Sequence, residues 1–288
     1  MERQTDYPLG VADSPSTRSL PGSLPRPTHL PPAPMRQIHV WSLAPASVEA
    51  RLGSLRGVLD ADELRRADRL RRDADRYAWT AAHTLLRHAL SELDGSRPPE
   101  AWVFDRGPEG RPHLVADPAA TEGSAVPGER RLDFSLSHTR DWVACAVGIG
   151  VRCGVDVERV RELSDLASLE ERVLSEGERE SLAGLRAEAR LESFYRFWTL
   201  KEAWGKATGV GILLPLDRLV FSVDHHDAVR LVSTPEPDEA TSSAAALISS
   251  DDDHWTFRSR TTGAGAVVEA IAGWTGDAGG PPEVVRHD

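Results

Sequence analysis

The sequence predicts an α+β fold of two similar lobes, each with an antiparallel sheet packed against helices. Two observations lead to this prediction. Segments with apolar residues at helical spacing occur in both halves of the chain, and short β-rich runs separated by polar turns accompany them. The 288 residues, 40% hydrophobic and 27% charged, are enough for one large domain or two small ones.

Composition divides the chain into four segments. Residues 1–36 mix Pro, Ser, Thr, Gly and Arg with little apolar periodicity, which predicts a disordered leader. The N-terminal lobe is predicted over residues 37–150 and the C-terminal lobe over residues 151–275. The Gly/Pro-rich residues 276–288 are predicted to be a flexible tail. No convincing sequence repeat relates the two lobes.

In the first half, the first predicted strand covers residues 38–41, and helical spacing over residues 60–93 predicts two helices. Residues 102–104 predict a strand, residues 105–112 a turn-forming loop and residues 117–131 a polar loop. Three strand-like runs follow closely and are expected to form one sheet: residues 132–136, 142–147 and 154–157.

In the second half, helical spacing returns over residues 166–207 and is strongest over residues 190–207. Gly209 and Gly211 are the expected stop signals of that helix. The remainder alternates polar turns with short β-rich runs, at residues 219–223, 229–232, 255–258 and 266–274.

Charge and hydropathy exclude several classes of protein. The formal net charge of −11 argues against nucleic-acid binding, which needs a basic face. No apolar run approaches the roughly 18 residues of a membrane span, and the start lacks a signal peptide, so we expect a cytoplasmic protein without membrane contact. Cys145 and Cys153 lie in apolar, strand-like surroundings without CxxC spacing, which favours buried reduced thiols over a disulfide or metal site.

Lysine usage singles out one segment. Lys201 and Lys206 are the only lysines among the 34 basic residues, and all the others are arginine. These two positions therefore indicate a need for a compact, flexible ammonium group instead of a planar guanidinium. Both lie within residues 197–206, in the strongest predicted helix.

Three carboxylates accompany the lysines. Asp156 and Glu158 are two apart in a predicted strand, so their side chains point to the same side, and a solvated acidic face is the alternative interpretation. Glu202 could add a third carboxylate, or simply form an i,i+4 pair with Lys206 worth about 0.2–0.5 kcal/mol. Carboxylate oxygens supplemented by phosphate oxygens and water are the ligands that Mg²⁺ prefers.

His138 and Ser137 end a predicted strand. The imidazole, the hydroxyl and the backbone N–H groups of this turn can all donate to phosphate oxygens, although a structural histidine is the alternative. A nucleophilic triad is not indicated, because adjacent side chains of an extended segment face opposite ways and Ser137 lacks a Gly-x-Ser-x-Gly context.

Arginines offer further candidate phosphate contacts. Arg66 and Arg69 belong to an arginine-rich predicted helix with interleaved acidic residues, and Arg111 lies between Gly110 and Pro112 in a tight loop. A solvated face and a phosphate-binding patch remain open for these positions. Neither a P-loop nor a dinucleotide-binding fingerprint is present.

Together these motifs resemble those of the 4′-phosphopantetheinyl transferases, and the Sfp-like (surfactin-type) class fits best. Residues 154–158, Gly-Val-Asp-Val-Glu, and residues 197–206 look like the two signature motifs of that family. Residues 134–139, Phe-Ser-Leu-Ser-His-Thr, are similar to its Ser-His motif, with Ser135 in place of a frequent asparagine. Residues 110–112 are similar to its Gly-Lys-Pro loop, with Arg111 in place of lysine.

The resemblance covers roughly residues 38–275 and implies an activity. The family moves the phosphopantetheine arm of coenzyme A onto a serine of an apo carrier protein, using Mg²⁺ and releasing adenosine 3′,5′-bisphosphate. Its site lies between two lobes related by a pseudo-twofold axis. The class implies a monomer that serves acyl carrier and peptidyl carrier proteins of polyketide or nonribosomal peptide synthesis. A phosphate-ester hydrolase and a non-catalytic module that binds coenzyme A or a carrier remain as alternatives.

The resemblance also implies residue roles. Asp156, Glu158 and Glu202 would bind the metal, and Glu202 could also act as the base. Lys206, supported by Lys201, would neutralise charge on the leaving phosphate. The expected contacts of coenzyme A are Arg66, Arg69, Gly110, Arg111, Pro112, Ser137, His138, Lys201 and Lys206.

Overall fold

The structure, a computed structural model, describes residues 36–44, 56–106, 110–115, 132–211, 215–238, 241, 244–248, 252–263, 266–276 and 280–287. The predicted leader, apart from Arg36, and the predicted polar loop over residues 117–131 lie outside these ranges. Among the described helices, none is long and apolar enough to span a membrane.

Two main sheets organise the described residues. The first has the strand order β11-β1-β5-β4, formed by β1 (Gln37–Leu43), β4 (Leu132–His138), β5 (Val143–Ile149) and β11 (Glu283–His287). The second has the order β6-β10-β9, formed by β6 (Arg152–Arg159), β9 (Trp255–Thr262) and β10 (Val267–Trp274). Two hairpins flank them: β2 (Phe104–Arg106) with β3 (Pro112–Leu114), and β7 (Val220–Val223) with β8 (Val229–Ser233).

Each main sheet packs against a long helix. The helices are α1 (Ala61–Asp68), α2 (Asp73–Asp94), α3 (Leu166–Val173), α4 (Glu176–Leu182), α5 (Ala187–Thr208) and α6 (Ala245–Ile248). Small side chains of α2 pack on the first sheet, and side chains of α5, several of them aromatic, pack on the second. Helix α5 ends at Gly209, whose φ of 88° is the left-handed conformation that glycine adopts at low cost, as predicted. The predicted α+β class is confirmed.

The three strands expected to form one sheet divide between the two sheets. β4 pairs with β5, whereas β6 pairs with β10. β4 and β6 nevertheless lie side by side. Serine hydroxyl oxygens of β4, and not backbone carbonyl oxygens, accept backbone N–H groups of β6: the Val155 N–H donates to Ser135 Oγ at 3.0 Å and the Val157 N–H to Ser137 Oγ at 3.3 Å. The sequence pattern predicts adjacent strands, but it does not show whether the acceptors between them are backbone carbonyls or serine hydroxyls.

The end of the chain also differs from the prediction. Residues 283–287, expected to be flexible, form the regular strand β11, which pairs in parallel with β1. Arg286 of β11 contacts the fully buried Glu269 of β10, which also accepts from Arg260 at 2.9 Å. A buried carboxylate needs such partners, so this ion pair fastens the end of the chain to both sheets. The boundary between two lobes at residue 150 stays a prediction.

Both cysteines are buried and free, as predicted. Burial raises the pKa of the Cys145 thiol and of the Cys153 thiol, so both stay protonated and unreactive at neutral pH.

Candidate functional site

Gly154 sets the distance between β6 and α5. A Cβ atom at this position would lie 1.9 Å from the Ala203 carbonyl oxygen and 2.8 Å from the Ala207 amide nitrogen, so a larger residue would push the strand off the helix. This close approach brings Asp156, two residues along β6, next to Lys206 on α5.

Asp156 is the best-connected carboxylate of the site. Its Oδ1 accepts from Lys206 Nζ at 2.7 Å and from Ser137 Oγ at 2.7 Å. Asp156 is only 5% exposed, and within the described residues its Oδ2 has no hydrogen-bond partner. Since a buried oxygen without a partner is costly, Oδ2 is suited to bind a cation.

Glu158 and Glu202 lie near enough to Asp156 to feel its charge. Burial raises the pKa of Glu158 to about 7, and the negative charge of Asp156 adds to the effect. Burial and Asp156 also raise the pKa of Glu202. In the part of the chain that the structure describes, no three His, Cys, Asp or Glu side chains are already arranged as a metal site. The all-oxygen donors and their mutual repulsion nevertheless fit a divalent cation such as Mg²⁺.

The pKa of Glu158 predicts a pH-dependent gain in stability for Glu158→Gln without divalent cations. The pKa of this carboxyl is raised on folding from 4.5 to about 7, so the folded state binds the proton more tightly than the unfolded state. The free energy of unfolding of the wild type therefore falls as the pH rises through that window. The variant should therefore exceed the wild type by about 1–3 kcal/mol in free energy of unfolding at pH 8, and by less at pH 5.

The measurement is urea unfolding in the presence of a chelator at both pH values. Glu162→Gln, which changes an exposed carboxyl four residues further along the chain, is the control. An equal gain for Glu158→Gln at pH 5 and pH 8 would contradict the raised pKa.

Beside this cluster lies a cleft of about 700 Å³, within the range of small-molecule sites. Its walls come from α1, α2, the β2–β3 hairpin and β4 on one side and from the end of α5 on the other. The cleft thus lies between elements of the two predicted lobes. Predicted site residues that line it are Arg66, Gly110, Arg111, Pro112, His138 and Lys206.

His138 ends β4 at the cleft. The surrounding protein lowers the pKa of His138, chiefly because it desolvates the imidazolium, and electrostatic interactions with His83 and Lys206 add to this. His138 is therefore neutral at neutral pH and has one ring N–H to donate.

Comparison with known proteins identifies the family. Residues 152–259 match the family model described as the 4′-phosphopantetheinyl transferase superfamily. The 4′-phosphopantetheinyl transferase HetI of Nostoc sp. is 33% identical over 69% of this chain and 79% of its own length. The chain belongs to this superfamily. The transferase is also 28% identical to 4′-phosphopantetheinyl transferase psf-1 of Bacillus pumilus, over 69% of this chain and 80% of that protein. A 4′-phosphopantetheinyl transferase of Bacillus subtilis is 26% identical to it, over 62% of this chain and 74% of that protein.

These matches confirm the family resemblance that the sequence motifs indicated. The chain is an enzyme of the 4′-phosphopantetheinyl transferase type, whose reaction joins phosphopantetheine from coenzyme A to carrier proteins.

Lys201 of the transferase lies away from the cleft, contrary to prediction. Its side chain is 0% exposed, and Nζ donates to Val173 O at 2.7 Å, Glu178 Oε2 at 2.6 Å and Leu216 O at 2.8 Å. These three bonds use all three N–H groups of the ammonium. Lys201 therefore joins α5 to the end of α3 and to α4, and we correct its assignment from phosphate contact to structural residue.

Arg111 lines the cleft, but its guanidinium binds protein. It donates to both carboxylate oxygens of Asp133, at 2.9 and 2.7 Å, and to the Lys206 carbonyl oxygen at 2.9 Å. The negative charge of Asp133 raises the pKa of Arg111 despite the opposing effect of burial. This arginine therefore fastens the loop of residues 110–112 to the end of α5, and the prediction of a phosphate contact is corrected.

The other predicted contacts of coenzyme A separate into two groups. Arg66 lines the cleft and pairs with Asp62 at 2.6 Å, whereas Arg69 is exposed at the end of α1 and does not line it. The Ser137 hydroxyl is buried against Asp156 and is likewise outside the cleft lining.

Sequence reasoning missed one wall of the cleft. Glu63 contacts the fully buried Arg87 at 2.6 Å and His83 Nδ1 at 3.0 Å, and His83 stacks on Trp79 with 3.7 Å between ring centroids. The spacing of Asp60 and Glu63 is a capping box and could have located the start of α1. The four-residue spacing of Trp79 and His83 could have placed both on one face of α2.

Proposed function

We propose that the protein is a Mg²⁺-dependent transferase that moves the 4′-phosphopantetheine moiety of coenzyme A onto a serine of apo acyl carrier or peptidyl carrier proteins. The carriers would be those of polyketide or nonribosomal peptide synthesis, and adenosine 3′,5′-bisphosphate would be released. The observation that carries this proposal is the ion pair between Lys206, which lines the cleft, and the buried Asp156, whose Oδ2 has no hydrogen-bond partner within the described residues.

Asp156, Glu158 and Glu202 would hold the metal ion. When bound, Mg²⁺ would neutralise negative charge on phosphate oxygens. Lys206 Nζ donates to Asp156 Oδ1 and, at 3.1 Å, to the Val155 carbonyl oxygen. Within the described residues, these two bonds leave a third N–H for an oxygen of the leaving phosphate. Positioning and charge neutralisation of this kind supply most of the catalysis of phosphoryl transfer.

Glu202 is the proposed base for the serine hydroxyl, directly or through water. Burial and the charge of Asp156 increase its proton affinity, which makes it a better acceptor than an ordinary carboxylate. His138, with its single ring N–H, would donate to a pyrophosphate oxygen. Arg66 remains the candidate for the adenine and 3′-phosphate end, because it lines the same cleft.

The test is intact-protein mass spectrometry of apo carrier proteins incubated with this protein, coenzyme A and Mg²⁺, with a chelator as control. We expect a metal-dependent gain of one phosphopantetheine arm on the carrier, and comparison of acyl with peptidyl carriers ranks the substrates. Binding of coenzyme A without transfer to any carrier would favour a binding module instead. We also propose that the enzyme acts as a cytoplasmic monomer, which size-exclusion chromatography with light scattering would test.

A further inference from the structure

Two serines of β4 make the same kind of bond to β6. Ser135 and Ser137 are two residues apart, both are buried, and each hydroxyl oxygen accepts a backbone N–H of β6, from Val155 and from Val157 respectively. Residues two apart on a strand share a face, which explains why both reach the same neighbour. These bonds hold β6 beside β4 although the two strands belong to different sheets.

Only Ser137 makes a second contact that reaches the proposed metal site. Its hydroxyl donates to Asp156 Oδ1 at 2.7 Å, so the single O–H proton is directed at the carboxylate. The same Oδ1 accepts from Lys206, whereas Oδ2 has no partner within the described residues. The two donors, one from β4 and one from α5, thus engage one oxygen of the carboxylate and leave the other for a ligand.

We infer that Ser137 is a positioning residue for metal binding, in place of the predicted contact with coenzyme A. The inference rests on the proposed function, in which Asp156 binds the cation. With the serine hydroxyl on Oδ1, the carboxylate cannot turn freely and Oδ2 is presented to the cation. Without it, Asp156 can turn so that Lys206 engages both oxygens, which would compete with the metal. Groups that orient a ligating carboxylate typically change metal affinity by about 10–100-fold.

Ser135→Ala is the matched control for Ser137→Ala. Each substitution removes one buried hydroxyl and one bond to a β6 amide, so both should lower the melting temperature, with a somewhat larger decrease for Ser137→Ala. Only Ser137→Ala removes the bond to Asp156. A purely structural role for Ser137 therefore predicts the same metal affinity for both variants.

The measurement is the Kd of Mn²⁺, a spectroscopic substitute for Mg²⁺, determined by electron paramagnetic resonance on the full chain with saturating coenzyme A. We expect Ser137→Ala to weaken Mn²⁺ binding about 10–100-fold and Ser135→Ala to leave it within about twofold. Ser137→Thr, which keeps the hydroxyl, should recover most of the affinity. If Ser137→Ala does not fold, Ser137→Cys keeps the unbranched shape of the side chain with only a weak donor and should also weaken Mn²⁺ binding.

The outcomes separate this inference from the proposed function. Wild-type protein that binds coenzyme A but no Mn²⁺ would overturn the metal site itself. Wild-type binding of Mn²⁺ together with unchanged affinity in Ser137→Ala, or equal losses in both alanine variants, would overturn the role of Ser137 alone.

Discussion

Asp156→Asn is expected to lower the rate of phosphopantetheinyl transfer by about 10³-fold or more. The amide is neutral and nearly isosteric, so it removes the charge that would bind the cation and pair with Lys206 without changing the packing around Gly154. The fold should persist, because the loss of the Lys206 ion pair is offset by relief of repulsion from Glu158 and Glu202.

The rate is measured by mass spectrometry of the carrier at saturating Mg²⁺, and the fold by circular dichroism and thermal unfolding. Asp141→Asn is the control, because Asp141 is an exposed carboxylate just beyond β4 that forms an ion pair with the exposed Arg159 and accepts a hydrogen bond from the Thr139 hydroxyl. Full activity of Asp156→Asn with added Mg²⁺ would refute the metal assignment.

Lys201→Met is expected to lower the free energy of unfolding by about 3–5 kcal/mol. The substitution leaves the carboxylate of Glu178 buried without its ammonium partner, and removes the donors to Val173 and Leu216. Glu178 also accepts from the Phe221 amide at 2.9 Å and from the Ser175 amide at 2.8 Å, so it cannot turn away to solvent without breaking further bonds.

Lys206→Met is the contrasting variant, because its ammonium lies partly exposed at the cleft. Urea unfolding followed by tryptophan fluorescence should show a larger loss for Lys201→Met, whose ammonium is fully buried, than for Lys206→Met, whose ammonium is partly exposed, with transfer activity lost in Lys206→Met. Adding Glu178→Gln to Lys201→Met should recover part of the stability, since it removes the unpaired charge. If Lys201→Met loses activity without losing stability, the structural assignment of Lys201 is wrong and the residue belongs to the active site.

Much of the site could be predicted because its signals are local. The two-residue period of a strand predicts that Asp156 and Glu158 point to one side, and in the structure burial and then the charge of Asp156 raise the pKa of Glu158. The four-residue spacing of Glu202 and Lys206 predicts a shared helix face. The same geometry separates the two lysines: five residues are about 140° around a helix, so Lys201 and Lys206 face different surroundings. It does not say which of them faces the cleft.

By itself the sequence determined the α+β class, most of the helices and strands, and the segments that carry Asp156, His138 and Lys206. Secondary-structure propensity, hydrophobic periodicity and turn residues depend on a few neighbouring positions, so they can be recognised without knowledge of the fold. Only the tertiary structure decided that β4 and β6 belong to different sheets, that residues 283–287 pair with β1, and that Arg111 and Lys201 bind protein. These outcomes depend on partners from distant parts of the chain, because a buried polar group binds whichever partner the packing brings within reach.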